Sequence, residues 1–124
     1  MNDRGKPKGI TRVLRAFGYS QQGLALVWRE EVAFRQETAL AGALIPLGCY
    51  LGASGAERAL LVAPMLLILV VELLNSAVEA VVDRSGMDPH PLAGMAKDMG
   101  SAAVMLSFVL LGTVWLLVLY DHVR

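Results

Sequence analysis

The sequence predicts an all-α membrane protein, with three transmembrane helices preceded by an N-terminal amphipathic surface helix. Three observations predict it. The 124 residues are 56% hydrophobic and 18% charged, with a mean hydropathy of +0.55, too apolar for an ordinary soluble domain. Apolar stretches at about 33–52, 58–82 and 98–120 each approach or exceed the ~20 residues that cross ~30 Å of hydrocarbon. Arg4, Lys6, Lys8, Arg12, Arg15 and Arg29 precede the first stretch, against only Asp3, Glu30 and Glu31. Such a basic flank belongs at the cytoplasmic membrane surface. The length allows one domain, 1–124.

Each element has its own signals. Residues 1–9 are polar, with glycine and proline, and are expected to be disordered. Over 10–29, Ile10, Val13, Leu14 and Phe17 recur at helical spacing, as suits a helix lying on a bilayer. Gly18 and Gly23 are expected to bend or break it, and Trp28 sits where an interfacial anchor belongs. Pro46 and Pro64 lie within the first two spans, where neighbouring helices satisfy the freed backbone groups. Gly48 and Gly52 form a small-xxx-small pair. Residues 53–57 make a short turn. The loop Arg84–Lys97 is longer, and Gly86, Pro89 and Pro91 exclude a continuous helix there.

Two spans separate the basic N-terminal segment from the loop carrying Arg84 and Lys97. Both therefore share a side, the cytoplasm by the positive-inside rule, and the C-terminus lies outside. No secretory signal is expected, because the first ~30 residues hold no continuous apolar core. The formal charge of zero offers no field for nucleic acid. Cys49, the single cysteine, forms no intrachain disulfide and is expected to be a small buried apolar residue.

The stretch LVVELLNSAVEAVVDR (69–84) carries the chemistry. Glu72, Asn75, Glu79 and Asp83 fall within an arc of about 80° on one helix face. Charges near helix ends such as Asp83 and Glu30 often only snorkel. Glu72 lies about three turns inside Val82, and a carboxylate at such depth marks a functional site. The topology brings Glu30, Glu31, Arg35, Gln36 and Glu37 of span one, this stripe, and Lys97, Asp98 and Ser101 of span three to one depth. Phosphoryl transfer at a membrane surface fits the set. It needs a divalent cation on phosphate oxygens, one or two carboxylates to hold it, and a base for the attacking hydroxyl. Glu31 and Glu79 could hold the metal, Glu72 could serve a lipid hydroxyl as base, and Lys97 could neutralise a phosphate. Neither standard glycine-rich phosphate loop is present. His122, Tyr120 and the methionines read as solvated, interfacial and packing residues.

The stretches TRVLRAFGYS (11–20), EVAFRQE (31–37), VELLNSAVEAVVDR (71–84) and AKDMGSAA (96–103) resemble the prokaryotic diacylglycerol kinase family, in order and spacing, over nearly the whole chain from residue 11. The resemblance implies a homotrimer in the bacterial inner membrane with active sites shared between subunits. It implies transfer of the γ-phosphate of Mg-ATP to diacylglycerol, giving phosphatidate. By that resemblance Glu72 is the base, Asn75 orients the phosphate end of the site, and Glu31 and Glu79 hold Mg2+. Arg12, Tyr19, Glu31, Glu79, Asp88, His90, Lys97 and Asp98 match nucleotide-contacting positions. Arg12, Arg35, Gln36, Glu72, Ser101 and Trp115 match positions near the lipid. The segment H-P-L-A before A-K-D also occurs in the related undecaprenol kinases, the alternative within the class. The alternative from another class is a small proton-coupled transporter, in which an intramembrane glutamate cycles protons. Against it stand the odd number of spans and the clustering of polar groups near one surface.

Overall fold

A computed structural model describes residues 8–86 and 88–124. Of the expectation of disorder over residues 1–9, residues 1–7 lie outside the described residues, and Gly9 stands at the N-cap of the first helix, its carbonyl accepting from Val13 N at 3.3 Å. Among the described residues, the chain forms four helices: α1 (Ile10–Glu30), α2 (Val32–Leu51), α3 (Gly55–Arg84) and α4 (Pro91–Val123). Among the described residues, α3 and α4 are long and apolar enough to cross a membrane. α2 is shorter and carries Arg35, Gln36 and Glu37 near its start.

The chain divides into two compact units, residues 1–32 and 33–124. In the first, α1 runs without interruption from Ile10 to Glu30. Gly18 and Gly23 do not break it, contrary to the expectation from sequence. Glycine weakens a helix by only about 1 kcal/mol, and the good helix formers around it carry the turn through. Ile10, Val13, Leu14 and Phe17 are exposed. The helix stops at Glu31, whose backbone is extended and whose N–H reaches Val27 O at 2.9 Å.

The second unit is built on antiparallel helices. Phe34, Glu37, Ala41 and Gly48 are buried on α2, and Leu61, Pro64, Met65, Ile68 and Glu72 on α3. Ser107, Leu111 and Val118 are buried on α4. These are stripes at three- and four-residue spacing, as helices packed along their lengths require. Ala41, Met65, Ile68 and Leu111 form the core, with Leu44, Ile45, Leu69 and Trp115 against it. The sequence-derived limits shift at the ends. α3 begins at Gly55, because Ser54 caps it by accepting from Glu57 N at 3.2 Å. Glu57 Oε2 in turn accepts Ala53 N–H at 2.6 Å, a pairing akin to a capping box. α4 begins at Pro91, well before Asp98. Proline suits a first helical position, where its missing N–H costs nothing. The loop expected to reach Lys97 therefore ends at His90.

Three contacts clasp α3 to α4. Lys97 Nζ meets Asp83 Oδ1 at 2.8 Å at one end, and His122 Nε2 meets Glu57 Oε2 at 2.9 Å at the other. Between them Trp115 Nε1 donates to Leu61 O at 3.0 Å. His122 is thus a partner of Glu57 and not merely a solvated end. Cys49 is exposed, not buried as expected. Its neighbour Gly48 occupies the inward stripe and turns Cys49 outward. At Gly48 α2 packs closely on its neighbours: a Cβ there would lie 3.0 Å from Leu61 Cβ and 3.5 Å from the Trp115 ring. Gly48→Leu should therefore destabilise the detergent-solubilised protein by about 1–3 kcal/mol, read as a lower thermal midpoint by circular dichroism. Gly42→Ala, where a methyl meets nothing within 4 Å, should keep or raise the midpoint. Equal midpoints for the two variants would refute the close packing at Gly48.

Candidate active site

α3 carries a ladder of polar groups from the interior to the loop. Glu72 is 5% exposed, in a stripe otherwise occupied by Leu61, Met65 and Ile68. Asn75 follows nearly one turn later and Glu79 one turn beyond it, both half-buried. Asn75 Nδ2 reaches Glu79 Oε1 at 3.5 Å, a long hydrogen bond. The same carboxamide's Oδ1 is buried and has no protein partner. It lies against Gly100 of α4, where an added methyl would overlap it. The small residue in M-G-S thus makes room for Asn75.

Opposite Glu72 stands Glu37 of α2. It is 7% exposed and hydrogen-bonded to Glu72 through its side chain, and its Oε2 is buried without a partner. Glu37 is a site residue that sequence reasoning missed, since it stands there as one of several polar residues at the start of span one. A signal existed: Glu37 falls on the stripe of Phe34 and Ala41, where a charge is out of place.

At the loop end, Asp83, Asp88, His90, Gly94 and Lys97 line an open cavity of about 770 Å³, within the range of small-ligand sites. His90 holds its rim, with Nδ1 accepting from Leu92 N at 3.1 Å as the cap of α4. The Lys97–Asp83 pair is about half-exposed, so water screens it and little energy is needed to open it. Anionic oxygens from a ligand can replace Asp83 as the partner of Lys97.

The second unit therefore brings together Glu72, Asn75 and Glu79 on one face, and Asp88, His90 and Lys97 around one cavity. Asp98, Ser101 and Gln36 are exposed on their helices, and Arg35 is half-buried. Trp115 is not beside Glu72. Its bond to Leu61 O places it about three turns away along α3, towards the opposite end of the helix pair. Arg12 and Tyr19 are exposed on α1, and Glu31 is half-buried at its end, all in the first unit. Among the described residues, no three His, Cys, Asp or Glu side chains converge as a metal cage. Glu79 and the unpartnered Asn75 Oδ1 are hard oxygen donors. They suit a cation such as Mg2+, which takes few protein ligands and completes its shell with phosphate and water.

Fold and site define a small helical membrane protein with buried carboxyl groups between its helices and a polar cavity at the loop between α3 and α4. A family model described as prokaryotic diacylglycerol kinase matches residues 18–119. The diacylglycerol kinase of Escherichia coli (strain K12) is 44% identical over 114 residues, 92% of this chain and 93% of that protein. That of Haemophilus influenzae is 46% identical over 110 residues, 89% of this chain and 93% of the relative. That of Pseudomonas aeruginosa is 48% identical over 111 residues, 90% of each chain. The chain belongs to the prokaryotic diacylglycerol kinase family.

The contact at Gly100 has a measurable consequence. Gly100→Ala should lower kcat of the lipid kinase about tenfold or more by displacing the Asn75 carboxamide, a loss of just over 1 kcal/mol in transition-state stabilisation. Gly112→Ala, on the same helix with nothing within 4 Å of the added methyl, is the control. Steady-state rates that fail to separate the two variants would remove Asn75 from the site.

Proposed function

We propose that this protein transfers the γ-phosphate of ATP to diacylglycerol at the cytoplasmic face of the inner membrane, giving phosphatidate and ADP. The observation that carries the reading is the ladder Glu72–Asn75–Glu79. It runs from a buried carboxyl towards the loop end of α3, where Asp83 lines the cavity. In this reading Glu72 accepts the proton of the lipid hydroxyl as its oxygen attacks the γ-phosphorus and ADP departs. Asn75 holds the phosphate end of the site. Glu79 and Glu31 are the residues that would hold Mg2+, and the ion would supply neutralisation of charge on the phosphate oxygens. Lys97 leaves Asp83 for a phosphate oxygen, Asp88 and His90 flank the adenosine, and Asp98, Arg12 and Tyr19 complete the nucleotide contacts. Arg12, Arg35, Gln36, Ser101 and Trp115 border the lipid. The position of Trp115 in the distant half of α4 gives it a place along an acyl chain and not at the reacting hydroxyl.

The membrane arrangement follows the same reading. α2 crosses with α3 and α4, since from Ala39 to Leu51 it is apolar apart from small residues. α1 lies on the cytoplasmic surface with its exposed Ile10, Val13, Leu14 and Phe17 in the headgroup layer. The C-terminus is outside. Three copies assemble with shared sites, as the long exposed apolar face of α4 (Met99, Met105, Leu106 and Val109 among it) allows.

The test uses detergent-purified protein, Mg2+ and γ-labelled ATP, with diacylglycerol and undecaprenol in parallel micelles. Label is expected on diacylglycerol. Label on undecaprenol alone would keep the mechanism and change the acceptor. Label on neither from a folded oligomer would overturn the kinase reading and favour a proton-coupled carrier, assayed as proton flux in liposomes. Glu72→Gln should cut kcat about 10²- to 10⁴-fold with ATP binding retained, and near-normal turnover would remove Glu72 as base. Glu79→Gln should instead raise the Mg2+ concentration for half-maximal rate about tenfold or more, and an unchanged metal titration would sink that assignment.

A further inference from the structure

Two acidic side chains meet inside the helix bundle. α2 and α3 run antiparallel, with Gly48 against Leu61 at one end and Ala41 against Met65 and Ile68 in the middle. The same register brings Glu37 opposite Glu72. Both are more than nine-tenths buried, and their carboxyl groups are hydrogen-bonded to each other. Carboxylate oxygens only accept, so a bond between two carboxyls exists only when one of them carries a proton. Two ionised carboxylates in contact in an apolar interior would also repel with little water to screen them. The pair therefore holds one proton.

The surroundings say which partner holds it. Glu37 Oε2 is buried and has no partner. An anionic oxygen in that position would be desolvated with nothing in return, whereas an oxygen of a neutral carboxyl costs far less. Glu72 shares its face of α3 with the polar Asn75 and Glu79, while Glu37 is flanked on its stripe by Phe34 and Ala41. Thr38, its neighbour, spends its hydroxyl on Phe34 O at 2.8 Å.

We propose that Glu37 is a positioning residue for the phosphoryl transfer: its protonated carboxyl donates a hydrogen bond to Glu72 and holds that side chain as an oriented carboxylate facing the site. This rests on the reading of Glu72 as the base. The donor fixes the Glu72 rotamer and stabilises its negative charge where water is scarce. As the lipid O–H bond breaks, the new O–P bond forms and the bond from the γ-phosphorus to the ADP oxygen breaks, and the proton passes to Glu72. The pair then holds two protons, and one returns to water before the next turnover.

Two substitutions separate this role from packing. Glutamine keeps the shape and an N–H donor but cannot ionise. Leucine fills similar volume and donates nothing. Glu37→Gln should keep kcat within about threefold of the parent, while Glu37→Leu should lower kcat on the order of 10- to 100-fold, the worth of a hydrogen bond to a buried charge. KM for ATP should stay within about threefold in both, since the lost interaction matters in the transition state and not in nucleotide binding. Size-exclusion profiles matching the parent establish that each variant assembles. Leu at parental kcat would overturn the proposal, because packing alone would then suffice. Gln as impaired as Leu would also overturn it, because Glu37 would then act through its ionised form. If Leu fails to assemble, Gln alone decides, with retained kcat in support and loss against. Glu72→Gln, measured beside them, keeps the two readings apart. Full turnover in Glu72→Gln defeats the base assignment itself. An inactive Glu72→Gln with a normal Glu37→Leu defeats only the role of Glu37.

Discussion

Polar groups buried between α2, α3 and α4 must find their partners inside the protein, and the arrangement of the second unit follows from that constraint. The apolar stripes alone allow the helices to slide and rotate against one another. A carboxyl in such a seam does not, because its desolvation is offset only by a partner at hydrogen-bond distance. Glu72 finds Glu37 on α2. Trp115 brings its indole N–H to Leu61 O on α3. Asn75 fits only because Gly100 carries no side chain. Each of these pairs sets a register between helices that hydrophobic contact leaves loose.

The two ends of the α3–α4 pair are each closed by a side-chain contact to a carboxylate, but with different consequences. Glu57 satisfies Ala53 N–H and His122 together, so the turn after α2 and the end of α4 are tied through one carboxylate. The Asp83–Lys97 pair borders an open cavity instead. A screened ion pair there holds the helices together at little cost and gives way to a ligand with stronger acceptors. One end of the helix pair is thus tied through a carboxylate, and the other borders an open cavity. The carboxyl ladder on α3 lies in the half of the helix nearer the cavity.

Much of this was legible in the residues. The helical character, the long apolar stretches and the shared face of Glu72, Asn75 and Glu79 follow from periodicity, which depends only on chain geometry. The loop around Pro89 follows from local backbone preference. The helix limits were less legible. Pro91 reads equally well as a loop residue or as the first residue of a helix, and Ser54 becomes a cap only once Glu57 N lies over its hydroxyl. Gly18 and Gly23 suggest breaks in α1 that the surrounding residues override. Cys49 and Gly48 could exchange faces by a small helix rotation, which no single-helix pattern fixes.

The sequence by itself determined which residues are too polar for their surroundings, and on which helix face they stand, because burial cost and helical period are properties of one segment. Only the tertiary structure decided which of them meet. Glu37 lies 35 positions from Glu72 in the chain, and Trp115 lies 54 from Leu61. No local rule links such distant groups. They meet because antiparallel helices of fixed rise, joined by short turns, bring opposite positions to one level, and because only the register that pairs the buried polar groups avoids leaving a charge alone in an apolar interior.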